Sequence, residues 1–364
     1  MNRLVSNLIV FAGAGASCGV SKEKYPTAIA FRDRLPDAVT ENSLFQRLAD
    51  YLTRQRGTGT IDIEHILWEL GRLVEVLEEM GTSNTFGGEL LATNQIAVIT
   101  GHQHQGQATH AQFNQLKNLA VDLQNKINQN VYDFYSTQPT DAELANSWIP
   151  LLEWVSKAGF SRVDLVTTNY DLVIEGALRR VSSLKVDNGF NDDLYPGIDF
   201  SRWEDGGPES RGLLTKLHGS VDWKLGHGGT IDHPVIRRGH PEFDGDHKKR
   251  LILYPGFKGR PDRQPFISFH EYFRHRLASA THLLFIGFAF RDEFINELVA
   301  TAASPTVRIA VLDPAKTLPT NPSFLARAVH LRQAFGKPKG LKTLLTDDGF
   351  ESFNLKDVAD WAGL

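Results

Sequence analysis

Five apolar runs in the chain each end in small or polar residues, and this repeated pattern predicts the buried strands of a parallel sheet. The runs are residues 8–12, 163–167, 213–217, 282–286 and 307–312. Helical stretches separate several of them, and strands that alternate with helices are typical of a parallel sheet covered on both faces. In such a sheet, ligands bind beyond the carboxyl ends of the strands. We therefore expect one functional site, built from the residues that follow the five runs.

A long segment between the first two runs has a different apolar spacing. Apolar residues recur there at intervals of three and four, from Ile61 to Met80 and from Phe113 to Phe134, which predicts amphipathic helices. We predict an α/β fold: a Rossmann-like, doubly wound, mainly parallel sheet with a helical insertion. The predicted parts are a core of residues 1–39 and 160–335, an insertion of residues 40–159 and a C-terminal extension of residues 336–364.

Composition disfavours several kinds of partner. The 364 residues carry a net charge of −4 without a long run of Lys or Arg, so direct nucleic-acid binding is not expected. No apolar stretch approaches the roughly 20 residues of a membrane helix, and no membrane association is expected. Cys18 is the only cysteine, which excludes an internal disulfide and favours a reducing, cytoplasmic location. An export signal at the start is disfavoured because Ser6 and Asn7 interrupt its apolar part.

The first run continues into a glycine-rich turn, Gly-Ala-Gly-Ala-Ser at residues 13–17. Glycines allow the backbone to approach a pyrophosphate closely, and the amides of such a turn can donate hydrogen bonds to it. The dinucleotide fingerprint of dehydrogenases requires a third glycine where Cys18 stands, so that class is disfavoured. A tight strand exit that binds no ligand is an alternative interpretation of the turn.

Four motifs occur in a fixed order along the chain. They are Gly-Ala-Gly-x-Ser at 13–17, Thr-Asn-Tyr-Asp at 168–171, His-Gly-Ser at 218–220 and Gly-Phe-Ala at 287–289. This order resembles the sirtuin superfamily, over about residues 8–35 and 163–314. In that superfamily the glycine turn holds NAD⁺, and the Asn-x-Asp and His-Gly motifs flank the nicotinamide ribose.

The resemblance implies a role for each motif residue. Asn169 would orient a water or the ribose hydroxyls, Asp171 would stabilise positive charge or fix Asn169, and His218 would be the general base. These three are the expected catalytic residues. The residues expected to contact NAD⁺ are Gly13, Ala14, Gly15, Ser17, Thr168, Gly219, Gly287, Phe288 and, near the adenosine, Asp313. Within this set, Gly287 and Phe288 are expected near the phosphates.

Two departures from the superfamily change the expected activity. Sirtuin deacylases carry four cysteines of a zinc module after the catalytic histidine, and here no cysteine lies between Trp223 and Gly287. Residues 26–31 read Pro-Thr-Ala-Ile-Ala-Phe in place of the family's Gly-Ile-Pro-Asp-Phe-Arg. With the helical insertion, these departures resemble the sirtuin-like NAD-consuming enzymes of prokaryotic antiviral defence. The resemblance implies a metal-independent NAD⁺ glycohydrolase that depletes NAD⁺ and releases nicotinamide and ADP-ribose.

The same resemblance implies regulation by association. The insertion would hold the activity off until a homo-oligomer forms or a separate defence partner binds, such as a HerA-type ATPase or an Argonaute protein. Protein deacylation or ADP-ribosyl transfer is an alternative, disfavoured by the missing zinc module. A non-catalytic sensor of NAD or ADP-ribose is another, disfavoured by the presence of Asn169 and His218.

Two further interpretations are disfavoured by spacing and by context. Loop histidines could bind a metal together with nearby aspartates, but their spacings of six and seven match no common site, and no metal is assigned. These histidines are His227, His233, His240 and His247. Cys18 could be a nucleophile, but the sequence places no base beside it, so a buried small residue is the preferred interpretation.

Overall fold

The computed structural model describes the chain in segments separated by gaps. They are residues 6–56, 61–81, 106–190, 198, 202, 210–225, 236–238, 250–254, 261, 264–304, 306–312, 341–344, 359–360 and 362. The chain forms two compact units. One comprises Met1–Thr27, Asp133–Asp244 and Lys248–Leu364, and the other Ala28–Tyr132 and Gly245–His247.

The described segments contain both helices and strands. In chain order these are β1 (Asn7–Ala12), α1 (Ala14–Cys18), α2 (Ala28–Arg32), α3 (Asp37–Thr40), α4 (Ser43–Arg56), α5 (Ile63–Gly81), α6 (Gly106–Tyr135), α7 (Asp141–Ala145), α8 (Trp148–Lys157), β2 (Arg162–Thr167), α9 (Val173–Leu178), β3 (Leu214–Lys216), β4 (Gly219–Leu225), β5 (Ile236–Arg238), β6 (Arg250–Ile252), α10 (Phe266–Ser279), β7 (His282–Ile286), α11 (Glu293–Ala302), β8 (Arg308–Leu312) and β9 (Leu341–Leu344).

Six strands of the first unit form a parallel sheet in the order β3-β2-β1-β7-β8-β9. Ranked by their order in the chain, these strands read 3-2-1-4-5-6, which is the strand order of a Rossmann sheet. The direction of winding reverses between β1 and β7, so the topological switch point lies between these two strands. The predicted α/β, Rossmann-like, mainly parallel fold is confirmed.

The five predicted runs form β1, β2, β3, β7 and β8, and their last residues are neighbours across the sheet. Lys216 pairs with Thr167, Thr167 with Ala12, Ala12 with Ile286, and Ile286 with Leu312. Because all these strands are parallel, the residues that follow them meet at one edge of the sheet. The prediction that the strand tips lie together is therefore confirmed for the described tips.

Aromatic packing between α10 and the strands forms much of the core of the first unit. Phe266, Phe269 and Phe273 recur at helical spacing on α10 and are buried. Phe273 contacts Phe11 of β1 with ring centroids 5.5 Å apart, and Phe11 lies 5.3 Å from Phe285 of β7. Strands covered on both faces read as continuous apolar runs, which explains why β1 and β7 were visible in the sequence.

Three strand pairings, in two sheets, were not expected from the sequence. β4, β5 and β6 form a separate antiparallel sheet in the order β5-β4-β6. β9 is the sixth strand of the parallel sheet and pairs with β8, although it lies in the predicted extension, residues 336–364. Both sets include strands of only three or four residues, which are too short for a clear period in the sequence.

The second compact unit contains α2 to α5 and most of α6. The helices predicted over 61–80 and 113–134 are confirmed as α5 and α6. Their buried residues are Ile63, Ile66, Leu67, Leu70, Val74 and Leu77 on α5, and Ala120, Leu123, Ile127 and Val131 on α6. The unit runs from Ala28 to Tyr132, whereas the predicted insertion runs over 40–159, so that α7 and α8 fall in the first unit. The domain division as a whole stays a prediction.

Among the described helices, none combines the length and apolar character needed to cross a membrane.

Candidate active site

The backbone of His218 is fixed between the two sheets. The amide of Leu217 donates to the Thr167 carbonyl oxygen at 2.8 Å, and the amide of Leu253 donates to the His218 carbonyl oxygen at 2.9 Å. Gly219 then turns the chain with φ +80°, and a Cβ there would lie 1.9 Å from the Leu251 carbonyl oxygen. Only glycine fits this position, so Gly219 has a structural role that is independent of any ligand.

Asn169 follows β2, and its side-chain amide is held by the glycine turn. Its Nδ2 donates to the Gly13 carbonyl oxygen and to Ser17 Oγ, both at 2.9 Å. Because a carbonyl oxygen can only accept, the atom that faces Gly13 must be the nitrogen. Both amide hydrogens are thereby used, and Oδ1 is the atom through which Asn169 can accept a hydrogen bond from a substrate or a water.

Asp171 lies beside Ser17 and is buried. Its Oδ1 accepts a hydrogen bond from the amide of Val173 at 3.0 Å, at the start of α9. Burial raises the pKa of the Asp171 carboxyl above its ordinary value, and the Lys216 ammonium, the Val173 amide and the Ser17 hydroxyl each act to lower it. Ser17 therefore interacts with Asn169 and with Asp171, which brings three of the predicted motif residues together.

A buried lysine that sequence reasoning missed lies next to this group. Lys216 is 2 % exposed, and its Nζ donates to Glu175 Oε1 at 2.8 Å, to Ser220 Oγ at 2.9 Å and to the Asp171 carbonyl oxygen. An ammonium has three hydrogens, and all three are used. The cluster ties β3, β4 and α9 together below the site. A charged residue within an apolar strand was the available sequence signal.

The imidazole of His218 faces an aspartate that was also missed. His218 Nε2 lies 3.5 Å from Asp292 Oδ2, and the two side chains are 4 % and 9 % exposed. Neither of these atoms has a hydrogen-bond partner within the described segments. Asp292 also caps α11, because its Oδ1 accepts a hydrogen bond from the amide of Ile295 at 2.9 Å. An aspartate directly before an apolar helical run was the signal for the cap, but not for the contact with His218.

A second buried histidine packs on His218. The rings of His218 and His270 are stacked, with centroids 6.3 Å apart and an angle of 26° between their planes. Burial, and to a lesser degree the nearby His218, lowers the pKa of His270 to about 4, so His270 is neutral near pH 7. Its Nδ1 donates to the Phe266 carbonyl oxygen at 2.8 Å, which leaves Nε2 able only to accept.

The glycine turn packs directly against the turn that follows β7. The amide of Gly13 donates to the Ile286 carbonyl oxygen and that of Gly15 to the Gly287 carbonyl oxygen, both at 2.9 Å. A Cβ on Gly13 would lie 2.7 Å from the Gly287 oxygen, and one on Gly287 would lie 2.2 Å from the Ala16 nitrogen. Close packing of two backbones at the switch point accounts for these glycines. The amides of Gly13 and Gly15 donate within the protein, so these two amides are not available to a phosphate.

The other predicted residues have different surroundings. The amide of Thr168 donates a hydrogen bond to the Ala12 carbonyl oxygen at 3.3 Å, and Ala14 is exposed. The side chain of Phe288 packs in the core, 4.7 Å from the ring of Phe11, so only the backbone of Phe288 can face a ligand. Cys18 is partly exposed, contrary to the preferred interpretation as a buried residue. Asp313 and the loop histidines lie outside the described residues.

Phe290 has an unusual backbone conformation two residues before Asp292. Its φ is +54°, the only positive φ of a non-glycine residue in the described segments. Its ring packs 5.0 Å from that of Phe285, and its carbonyl oxygen accepts a hydrogen bond from Asn296 Nδ2 at 2.7 Å. Such a conformation persists only where its surroundings fix it, and here it lies in the turn that leads into Asp292, the N-cap of α11.

The fold and these side chains define an α/β protein with a polar site at the switch edge of a Rossmann sheet. A family model described as a SIR2-like domain matches residues 163–320. No curated protein was found to match the chain. The match supports membership of the sirtuin-like superfamily, and such a domain implies NAD binding and an NAD-dependent enzyme. Within the described residues, no three His, Cys, Asp or Glu side chains form a metal-binding group. A metal-independent reaction stays a prediction.

Proposed function

We propose that the protein is an NAD⁺ glycohydrolase that cleaves the nicotinamide–ribose bond. The observation that carries the proposal is the arrangement of Asn169 and His218. Thr167 of β2 pairs with Lys216 of the adjacent strand β3. Asn169 lies two residues after Thr167, and His218 lies two residues after Lys216. Both are buried at the tips of their strands, and both have side-chain atoms directed by contacts within the protein. A carboxamide that orients the water or the ribose and an imidazole that acts as the base, at the tips of adjacent strands, suit this hydrolysis.

The reaction requires little more than these groups. The C1′–N bond breaks with its electron pair passing to the pyridine nitrogen, so the leaving nicotinamide is neutral and needs no acid. The sugar passes through an oxocarbenium-like state, and a water oxygen forms the new bond to C1′. One proton leaves that water, and His218 is the group proposed to accept it before solvent removes it.

The contacts of Asn169 support a role in positioning. With both hydrogens of Nδ2 donated to Gly13 and Ser17, Oδ1 is directed to accept from a water or a ribose hydroxyl. Of the two roles expected for Asp171, fixing Asn169 has the more direct support, because Ser17 interacts with both side chains. NAD⁺ contacts by the exposed Ala14 and by the backbone of Gly287 and Phe288 belong to the same proposal.

The biological setting is also a proposal. The resemblance to defence enzymes supports NAD⁺ depletion during viral infection, in the cytoplasm, under the control of a homo-oligomer or a separate partner such as a HerA-type ATPase or an Argonaute protein. A helical unit that is compact on its own is consistent with a regulatory part. Size-exclusion chromatography with light scattering would measure self-association directly.

Incubation of the purified protein with NAD⁺, over a wide range of protein concentrations, tests the activity. We expect release of nicotinamide without any peptide. His218→Ala should lower the rate by about 10²- to 10⁴-fold, as loss of a general base typically does. Asn169→Ala should also nearly abolish release, because Oδ1 no longer orients the water or the ribose hydroxyls. His275→Ala is the matched control, because His275 is an exposed histidine of α10. Release only with an acetyl-lysine peptide would instead indicate deacylation, and binding without release would indicate a sensor.

A further inference from the structure

The contact between Asp292 and His218 is not explained by helix capping. A capping aspartate needs one oxygen, and Asp292 uses Oδ1 for the amide of Ile295. The second oxygen of such a cap usually faces water, but here Oδ2 is buried 3.5 Å from His218 Nε2. Buried polar atoms are nearly always paired, so two adjacent ones without hydrogen bonds in the described segments point to a function.

The carboxylate is held so that Oδ2 must face the imidazole. The cap fixes Oδ1 on α11, and the chain enters that helix through the positive φ of Phe290. Asn296, one turn into the helix, donates to the Phe290 carbonyl oxygen and stabilises this entry. A rotation of the carboxylate that turned Oδ2 away would break the cap, so the direction of Oδ2 is set by the fold.

The neighbouring groups determine which atom carries the proton that lies between His218 and Asp292. The ring of His270 is stacked on that of His218, and its Nε2 can only accept because Nδ1 donates to the Phe266 carbonyl oxygen. Asp292 Oδ2 also can only accept. Among the ring nitrogens described around this carboxylate, only Nε2 of His218 can supply a hydrogen.

We propose that Asp292 is a positioning residue that holds His218 with its proton on Nε2 and leaves Nδ1 as the atom that accepts a proton. This deepens the proposed function and rests on it, since the proton comes from the attacking water. As Nδ1 takes that proton, the O–H bond breaks, and its electron pair remains on the oxygen that bonds to C1′. The resulting imidazolium is stabilised by the carboxylate, and the 3.5 Å gap closes to a charge-assisted hydrogen bond.

Asp292→Asn separates this role from capping. Asparagine is as good a cap as aspartate, and its Oδ1 must accept from the Ile295 amide to serve as one. Its Nδ2 then faces His218 and donates to Nε2, which forces the ring proton onto Nδ1. We expect kcat to fall by about 10²- to 10⁴-fold, with KM nearly unchanged. Glu293→Gln, the matched control, removes the same charge from the next residue and should leave kcat unchanged.

Nitrogen-15 NMR of the histidine rings provides a readout that is independent of turnover. The signals of His218 are assigned by their loss in His218→Gln. In the wild-type protein we expect a protonated Nε2 and an unprotonated Nδ1, and in Asp292→Asn the reverse. A merely structural role for Asp292 would not exchange the two nitrogens.

The outcomes separate this inference from the proposed function. If wild-type protein hydrolyses NAD⁺ and Asp292→Asn does so equally fast, the positioning role is overturned and the hydrolase proposal survives. If wild-type protein releases no nicotinamide at any protein concentration, the proposal of a hydrolase that acts without a separate partner fails, and the exchange of ring protons still decides the role of Asp292. A wild-type His218 with its proton on Nδ1 would overturn the inference whatever the activity or stability of Asp292→Asn.

Discussion

Acidification should destabilise the protein through His270, a histidine next to the candidate site. The side chain is 2 % exposed, and its Nδ1 donates to the Phe266 carbonyl oxygen. Burial lowers the pKa of His270 from its ordinary value of 6.5 to about 4. The folded protein therefore resists a proton that the unfolded chain accepts readily.

The sign and size follow from proton linkage. Below pH 6.5 the unfolded chain binds a proton that the folded chain does not bind until the pH approaches about 4. Stability is thus fully present above pH 6.5 and is lost as the pH falls through this window. Between about pH 7.5 and about pH 5, the free energy of unfolding should fall by about 2 kcal/mol from this residue.

Urea unfolding followed by circular dichroism measures this difference in wild type and in His270→Asn. The asparagine amide can replace Nδ1 as the donor to Phe266, and it does not titrate. We expect the variant to lose about 2 kcal/mol less than wild type between the two pH values. His275→Asn, at an exposed position of the same helix, should behave like wild type. Equal losses in wild type and His270→Asn would refute the reasoning.

Two other perturbations test the architecture of the site by urea unfolding. Gly287→Ala should abolish or severely reduce folding, because its Cβ would meet the Ala16 nitrogen at 2.2 Å, whereas Gly159→Ala, also at positive φ but in open space, should cost only about 1–2 kcal/mol. Equal losses would contradict the packing argument. Lys216→Met should cost about 3–5 kcal/mol by leaving Glu175 buried without its partner, and adding Glu175→Gln should restore much of the loss. Strictly additive losses would show that the two side chains are not coupled.

Much of the fold could be predicted because its central strands are buried on both faces. Continuous apolar runs such as residues 282–286 are a strong local signal, and α5 was visible from the helical spacing of its apolar residues. The antiparallel sheet was missed because β5 and β6 have only three residues each. Their pairing with β4 depends on contacts between distant segments, which a local pattern does not contain.

The candidate site was predictable only in part, for a similar reason. Asn169 and His218 follow strand tips, where chemistry is expected in a parallel sheet. In the sequence, Asp292 is typical of a helix cap, and His270 is typical of the buried face of a helix. Neither pattern indicates a functional residue. Their contacts with His218 arise from the way α10 and α11 pack. For Gly13 and Gly15, the structure adds a packing explanation to the dinucleotide one.

Asn169 and His218 are proposed to carry the hydrolysis of NAD⁺ by water. Mass analysis of the ADP-ribose formed in water enriched in oxygen-18 tests it most directly. We expect wild-type protein and His275→Ala to release nicotinamide and ADP-ribose with one oxygen-18 atom, and Asn169→Ala and His218→Ala to form almost no labelled ADP-ribose. Nicotinamide release without labelled ADP-ribose, or labelled product at wild-type rates from both site variants, would contradict it.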